Sequence, residues 1–117
     1  MEGLTRLSAM TPVVMAATER SRSILVVTPT AVQADVYFQR ITEIINRRGI
    51  LPTHVSPRQL NIVLHNTSVI RVVPEANLGR VARGMTWDLA VAAGTWDDAR
   101  FARARQELAP SMRVAVP

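Results

Sequence analysis

Cysteine and lysine are both missing from this chain of 117 residues. Without cysteine there are no disulfides, no thiolate metal ligands and no cysteine nucleophile, a composition that suits a reducing compartment. Without lysine there is no ammonium group to neutralise a transferred phosphate, which closes the mechanism of P-loop nucleotidases to this chain. Glycine is scarce as well. Its five residues are spread singly, so neither a glycine-rich phosphate loop nor a dinucleotide fingerprint can be written anywhere. No apolar run approaches the roughly 20 residues that cross a bilayer. Residues 13–17 (VVMAA) are too short an apolar stretch, and their approach too weakly basic, for a secretory leader. These absences predict a soluble protein of the cytoplasm, in its own cell or in a host cell.

What is present is a hydrophobic fraction of 48% and a formal net charge of +5, with a mean hydropathy of +0.12. Such a chain can bury a core rather than remain disordered. Its length suits one domain over 1–117, with residues 1–22 as an N-terminal extension that carries a short helix. All fourteen basic residues are arginine. GC-rich coding accounts for that bias, and so does recognition of phosphate or carboxylate, whose two oxygens match the guanidinium fork. The arginines are scattered, so no tail or tract marks a nucleic-acid arm.

Thr11-Pro12 reads as an N-cap followed by proline at the first helical position, opening a helix over 12–20. Residues 1–10 show no strong period. Ile24-Leu25-Val26-Val27 has the continuous apolar, β-branched character of a strand buried on both faces. Thr30-Ala31-Val32-Gln33 matches a capping box, with Gln33 placed to reach back to the cap. The helix that follows, over 31–48, puts Ala34, Tyr37, Phe38, Ile41, Ile44 and Ile45 on one face, and Gly49 stops it. A buried strand leading into a one-sided helix predicts a βα unit and a parallel sheet. Residues 51–58, with Pro52 and Pro57, read as a loop. Residues 61–65 and 68–73 read as two strands of a hairpin, turning at Asn66-Thr67 because asparagine tolerates positive φ. Residues 75–83 suit a short helix or a loop. Residues 87–93 read as another buried strand, and Thr95-Trp96-Asp97-Asp98 as a helix start with Asp98 at the third helical position. That helix runs to about Leu108, and residues 112–116 form a last short strand. The fold class expected is α/β: three layers, α/β/α, with a mixed, mainly parallel sheet and one β-hairpin.

Chemistry-bearing clusters are few. His54 and His65 have no partners at metal-ligand spacing and read as ordinary polar residues. Asp97-Asp98 could chelate a cation, but a helix start explains the pair. No ordered nucleophile, base and acid can be written, so no catalytic residue, metal or cofactor is expected, and the protein is read as a non-enzyme.

The stretch from Ile24 to Asp98 resembles the nucleotidase core of phage terminase large subunits and related superfamily-2 helicases. The likeness is carried by the buried strand ending in Thr28-Pro29-Thr30, by His65-Asn66-Thr67-Ser68 between two strands, and by Arg83-Gly84 ahead of the strand at 87–93. It covers about two thirds of the chain. In that family the last strand ends in two acidic residues that hold magnesium and orient the attacking water. Here Ala93-Gly94 stands in their place, Thr67 stands where glycine is usual, and nothing ahead of Ile24 resembles the phosphate-binding loop. The resemblance therefore implies a degenerate P-loop-like scaffold, phage-encoded, with the fold kept and the catalysis lost.

In helicases the Thr-Pro-Thr segment touches the nucleic-acid backbone, and helix N-termini attract anions on physical grounds. Thr28 and Thr30, with the amides of Ala31 and Val32, are thus candidate phosphate contacts; Thr30 as a plain helix cap is the competing reading. Arg80 and Arg83 flank a polar loop, and Arg100 and Arg103 share one helical face, so these four are candidate phosphate ligands or simply solvated charges. Trp87 and Trp96 bracket a strand, where core packing accounts for them better than base stacking. The leading expectation is a non-catalytic domain that binds nucleic acid through Thr28, Thr30, Arg80, Arg83, Arg100 and Arg103. The alternative is a protein-interaction or assembly module, a phage accessory factor or a homo-oligomer, pairing through the strand at 112–116. No membrane partner is expected.

Overall fold

A computed structural model describes residues 3–113. The strands are β1 (Leu4–Arg6), β2 (Ser23–Thr28), β3 (Pro52–Ser56), β4 (Asn61–Leu64), β5 (Val69–Pro74) and β6 (Leu89–Ala92). The helices are α1 (Thr11–Glu19), α2 (Ala31–Arg47), α3 (Leu78–Ala82) and α4 (Asp98–Leu108). All six strands form one sheet in the order β1-β6-β2-β5-β4-β3. β1, β6, β2 and β5 run parallel, and β4 runs against both β5 and β3. The class is mixed, mainly parallel α/β, as the strand and helix patterns predicted.

Helices lie on both faces because β2 is apolar on both. Ile24 and Val26 join Val13, Val14, Ala17, Tyr37, Phe38, Ile41 and Ile45 of α1 and α2 in one core. Leu25 and Val27 join Leu78, Ala82, Ala104 and Leu108 of α3 and α4 in the other. The result is a three-layer sandwich with two separate cores. No helix is long and apolar enough to cross a membrane among the described residues.

Several expectations need correction. Residues 4–6 form an edge strand; a strand of three residues is too short to display a period. Residues 52–56 form a strand where a loop was expected, so β3, β4 and β5 make a meander of two hairpins, not one. β3 is the last strand of the sheet and begins with Pro52, the position where a missing N–H costs least. The positive φ of the β4–β5 turn falls on Thr67 (+69°), not Asn66. Asn66 instead accepts from the Ser68 amide and donates to the Ala17 carbonyl. Thr11 lies inside α1, and its cap position, Met10, makes no side-chain bond. At α4, Asp97 is the cap, accepting from the Arg100 amide at 2.8 Å, and Asp98 is the first helical residue, not the third. Residues 75–82 form a 3-10 turn running into α3. Of the strand expected at 112–116, Met112 bridges Trp87 in parallel, and residues 114–116 lie outside the described residues.

One buried hydroxyl ties the layers together at the base of the sheet. Ser68, fully buried, accepts from the Arg22 amide at 2.9 Å and donates to the Ala17 carbonyl at 2.7 Å. It thereby joins the end of α1 and the start of β2 to the start of β5. Ser68→Ala is expected to destabilise the fold by about 1–3 kcal/mol, since the Arg22 amide loses its buried acceptor. An unchanged urea midpoint would contradict this account.

Candidate nucleic-acid interface

Open α/β sheets hold ligands in the crevice beyond the carboxyl ends of their parallel strands. Here that edge gathers Thr28 from β2, Glu75 after β5, Ala93-Gly94 after β6 and Ser8 after β1. The protein fills it with its own groups. Thr28 is fully buried, and its hydroxyl donates to the Thr30 carbonyl at 2.8 Å. Thr30 accepts from the Gln33 amide at 3.2 Å and so caps α2. The second half of the expected capping box is not made: Gln33 Oε1 lies buried, without a hydrogen bond, against Gly94. The Gly94 amide donates to Ser8 Oγ at 3.1 Å, joining the β1 and β6 loops.

Arg100 bridges the crevice. From the first turn of α4 its Nε donates to Glu75 Oε1 at 2.9 Å, and its Nη2 donates to the same oxygen at 2.5 Å and to the Pro29 carbonyl at 2.9 Å. Its guanidinium lies 5.7 Å from the centre of the Trp96 ring. Trp96 in turn donates Nε1 to the Ala93 carbonyl at 2.9 Å. Arg100 thus links the ends of β2 and β5 to α4, and Trp96 adds the end of β6. Pairing across 25 residues left no mark in the sequence, where Arg100 resembled any other arginine of a basic helix.

Of the six candidates, then, Thr28, Thr30 and Arg100 make hydrogen bonds within the fold, and Thr30 is exposed. Arg80, Arg83 and Arg103 stand apart from them, on the outer helical layer. α3 and α4 pack together, and Gly79 lies so close to Glu107 that a Cβ there would fall 2.8 Å from Oε2. Arg100, Arg103 and Glu107 share a helical face, which places Arg103 at the α3–α4 seam. Arg80, Arg83 and Arg103 are exposed, and among the described residues none has a carboxylate at ion-pair distance. Arg83 is steadied by an Nε bond to the Gly79 carbonyl at 2.9 Å.

The remaining groups divide simply. Trp87 and Trp96 are buried in the α3–α4 core, so neither offers a ring for base stacking. His54 and His65 are exposed on the meander. Among the described residues no three of His, Asp and Glu come together as a metal site. Compared with known protein families, curated proteins and solved structures, the chain matches none.

The contacts across the crevice yield two expectations. Gly94 has φ +93°, and a Cβ there would collide with Gln33 Oε1 and approach Pro29 Cδ to 3.0 Å. Gly94→Ala should therefore cost about 1–3 kcal/mol. Arg100→Met should cost about 1–3 kcal/mol, because it strands the half-buried Glu75 carboxylate and the Pro29 carbonyl. Adding Glu75→Gln should restore part of that loss. Strict additivity in a double-mutant cycle would show that the pair is not coupled.

Proposed function

We propose that this chain is a non-catalytic α/β domain that binds nucleic acid through the arginines of its outer helical layer, Arg80, Arg83 and Arg103. The observation that carries the reading is the contrast between these three and Arg100. Arg100 is paired with Glu75 in a part-buried salt bridge, whereas the other three lie exposed on adjoining helices with no carboxylate at ion-pair distance among the described residues. A net charge of +5 favours approach of a polyanion. The likeness of residues 24–98 to terminase and helicase cores supports the same direction, and the Ala93-Gly94 strand end speaks for recognition without nucleotide hydrolysis. Thr28 and Thr30 belong to the scaffold in this reading. The absence of cysteine suits work in a cytoplasm, a host's if the gene is viral.

Phosphate contacts release counterions, so affinity should fall with salt. Three contacts predict a slope of log K against log salt of about −2.7 for duplex DNA. Arg80→Glu with Arg103→Glu should weaken binding by about tenfold or more and flatten the slope by about 2, measured by anisotropy of a labelled duplex. No binding at micromolar protein in low salt would refute the proposal.

A second reading, a protein-interaction or assembly module, draws on the other end of the sheet. The edge strand β3 exposes Thr53, His54 and Val55, and Leu51 beside it is 69% exposed. An open edge flanked by apolar side chains is suited to pairing with another strand. A monomer by light scattering, with no partner captured, would count against it.

A further inference from the structure

Of the fourteen arginines, only Arg22, Arg71 and Arg100 are not exposed. Two of them are satisfied within the fold. Arg22 donates to the Ala16 carbonyl at 2.9 Å and pairs with Glu19, and Arg100 is held by Glu75 and Pro29. Arg71 is the exception. It sits in the middle of β5 with its Nε buried and without a hydrogen bond, and no described carboxylate lies at ion-pair distance. A half-buried charge without a partner is costly, and ordinary folds supply the counter-charge.

The surroundings cannot supply it. From Ile50 to Pro74 the chain contains no aspartate or glutamate. Along β5, Ile70 and Val72 face the α1–α2 core, whereas Val73 faces the α3–α4 core, which puts Arg71 on the α3–α4 side. That second core contains no residue of β3 or β4, so α3 and α4 do not extend their packing over these two strands. On this side Arg71 is opposite Asn61, and Asn61 is opposite Ser56, giving one cross-strand row; the next row is Val69, Val63 and His54. Arginine, asparagine, serine and histidine thus share one sheet surface. Asn61 Oδ1 is also buried without a partner. Directly opposed residues hold their Cβ atoms about 5 Å apart. Rotation of the carboxamide would let Oδ1 accept from Arg71 Nε and steady the guanidinium, leaving the two Nη groups free to donate.

We infer that this open surface is a binding site for a phosphate-type oxyanion, gripped by the Nη groups of Arg71 and flanked by the donors of Asn61, Ser56 and His54. The anion supplies the charge that the fold withholds from Arg71, and a forked donor suits its paired oxygens. The site uses no residue of the α3–α4 arginine surface and stands independently of it. Either a free phosphate group or a backbone phosphodiester presents this chemistry.

The test is titration of the ¹⁵N-labelled full chain with inorganic phosphate against chloride at matched ionic strength. Saturable shifts at the Arg71 Nε–H, the Asn61 side-chain amide and the backbone of β4 and β5 are expected. Arg71→Gln should weaken binding by about tenfold or more, and Arg71→Lys, which keeps the charge but loses the fork, by a smaller factor. Arg80→Glu should leave it unchanged, so a failed DNA titration and a failed phosphate titration are distinguishable. Shifts that never saturate, or that survive both Arg71 variants, overturn the inference; if Arg71→Gln does not fold, unweakened binding by Arg71→Lys alone overturns it. Displacement of phosphate by a short oligonucleotide assigns the site to phosphodiesters, and failure to displace assigns it to free phosphate groups.

Discussion

β2 lies between β5 and β6, hydrogen-bonded on both edges and buried on both faces. A strand so placed must be apolar at successive positions, and Ile24-Leu25-Val26-Val27 meets that demand. Both faces of the sheet must then be covered, because each carries part of this strand. α1 and α2 cover one side, and α3 and α4 the other. The same strand carries Thr28 and Pro29 to the carboxyl edge, beside the ends of β5 and β6. What happens at that edge follows from how the neighbouring loops meet there.

In many sheets of this kind the carboxyl edge is open and receives a ligand. In this protein Arg100, Glu75 and the Pro29 carbonyl bridge it, while Gly94 admits the close approach of Gln33 and Pro29 that a side chain would forbid. A guanidinium inside such a cluster satisfies two remote chain segments at once, the Glu75 carboxylate and the Pro29 carbonyl. The α3–α4 layer keeps exposed arginines, and β5, beside the two strands that this layer leaves uncovered, keeps Arg71, whose Nε has no hydrogen bond. Both surfaces result from uneven coverage of a single sheet.

The parts of the fold legible in the sequence were those with enough residues to show a pattern. α2 displayed its buried face through Ala34, Tyr37, Phe38, Ile41 and Ile45, and Thr30 announced its cap. β2, β4, β5, β6 and α4 were read near their observed limits. β1 was hidden because three residues cannot establish a period, and β3 because Pro52 and Pro57 resemble loop punctuation. Edge strands tolerate proline, but whether a strand lies at an edge is not written locally. Among the candidate site residues, the roles of Thr28, Thr30 and Arg100 were decided by partners. Thr30 caps α2, and Arg100 found a carboxylate 25 positions away. Arg71 carried a signal that was available, a charge within the run Val69-Ile70-Arg71-Val72-Val73.

By itself the sequence determined the class of architecture and the exclusion of lysine-dependent phosphate transfer, because periodicity and residue inventory are local or additive properties. It also placed the cap of α2, where Thr30 binds an amide three residues on. Only the tertiary structure decided which arginines are neutralised, which surface remains open and where the sheet ends. Those outcomes depend on distances between segments remote in the chain, and a guanidinium has the same chemistry in either setting until folding brings a carboxylate to it or leaves it without one.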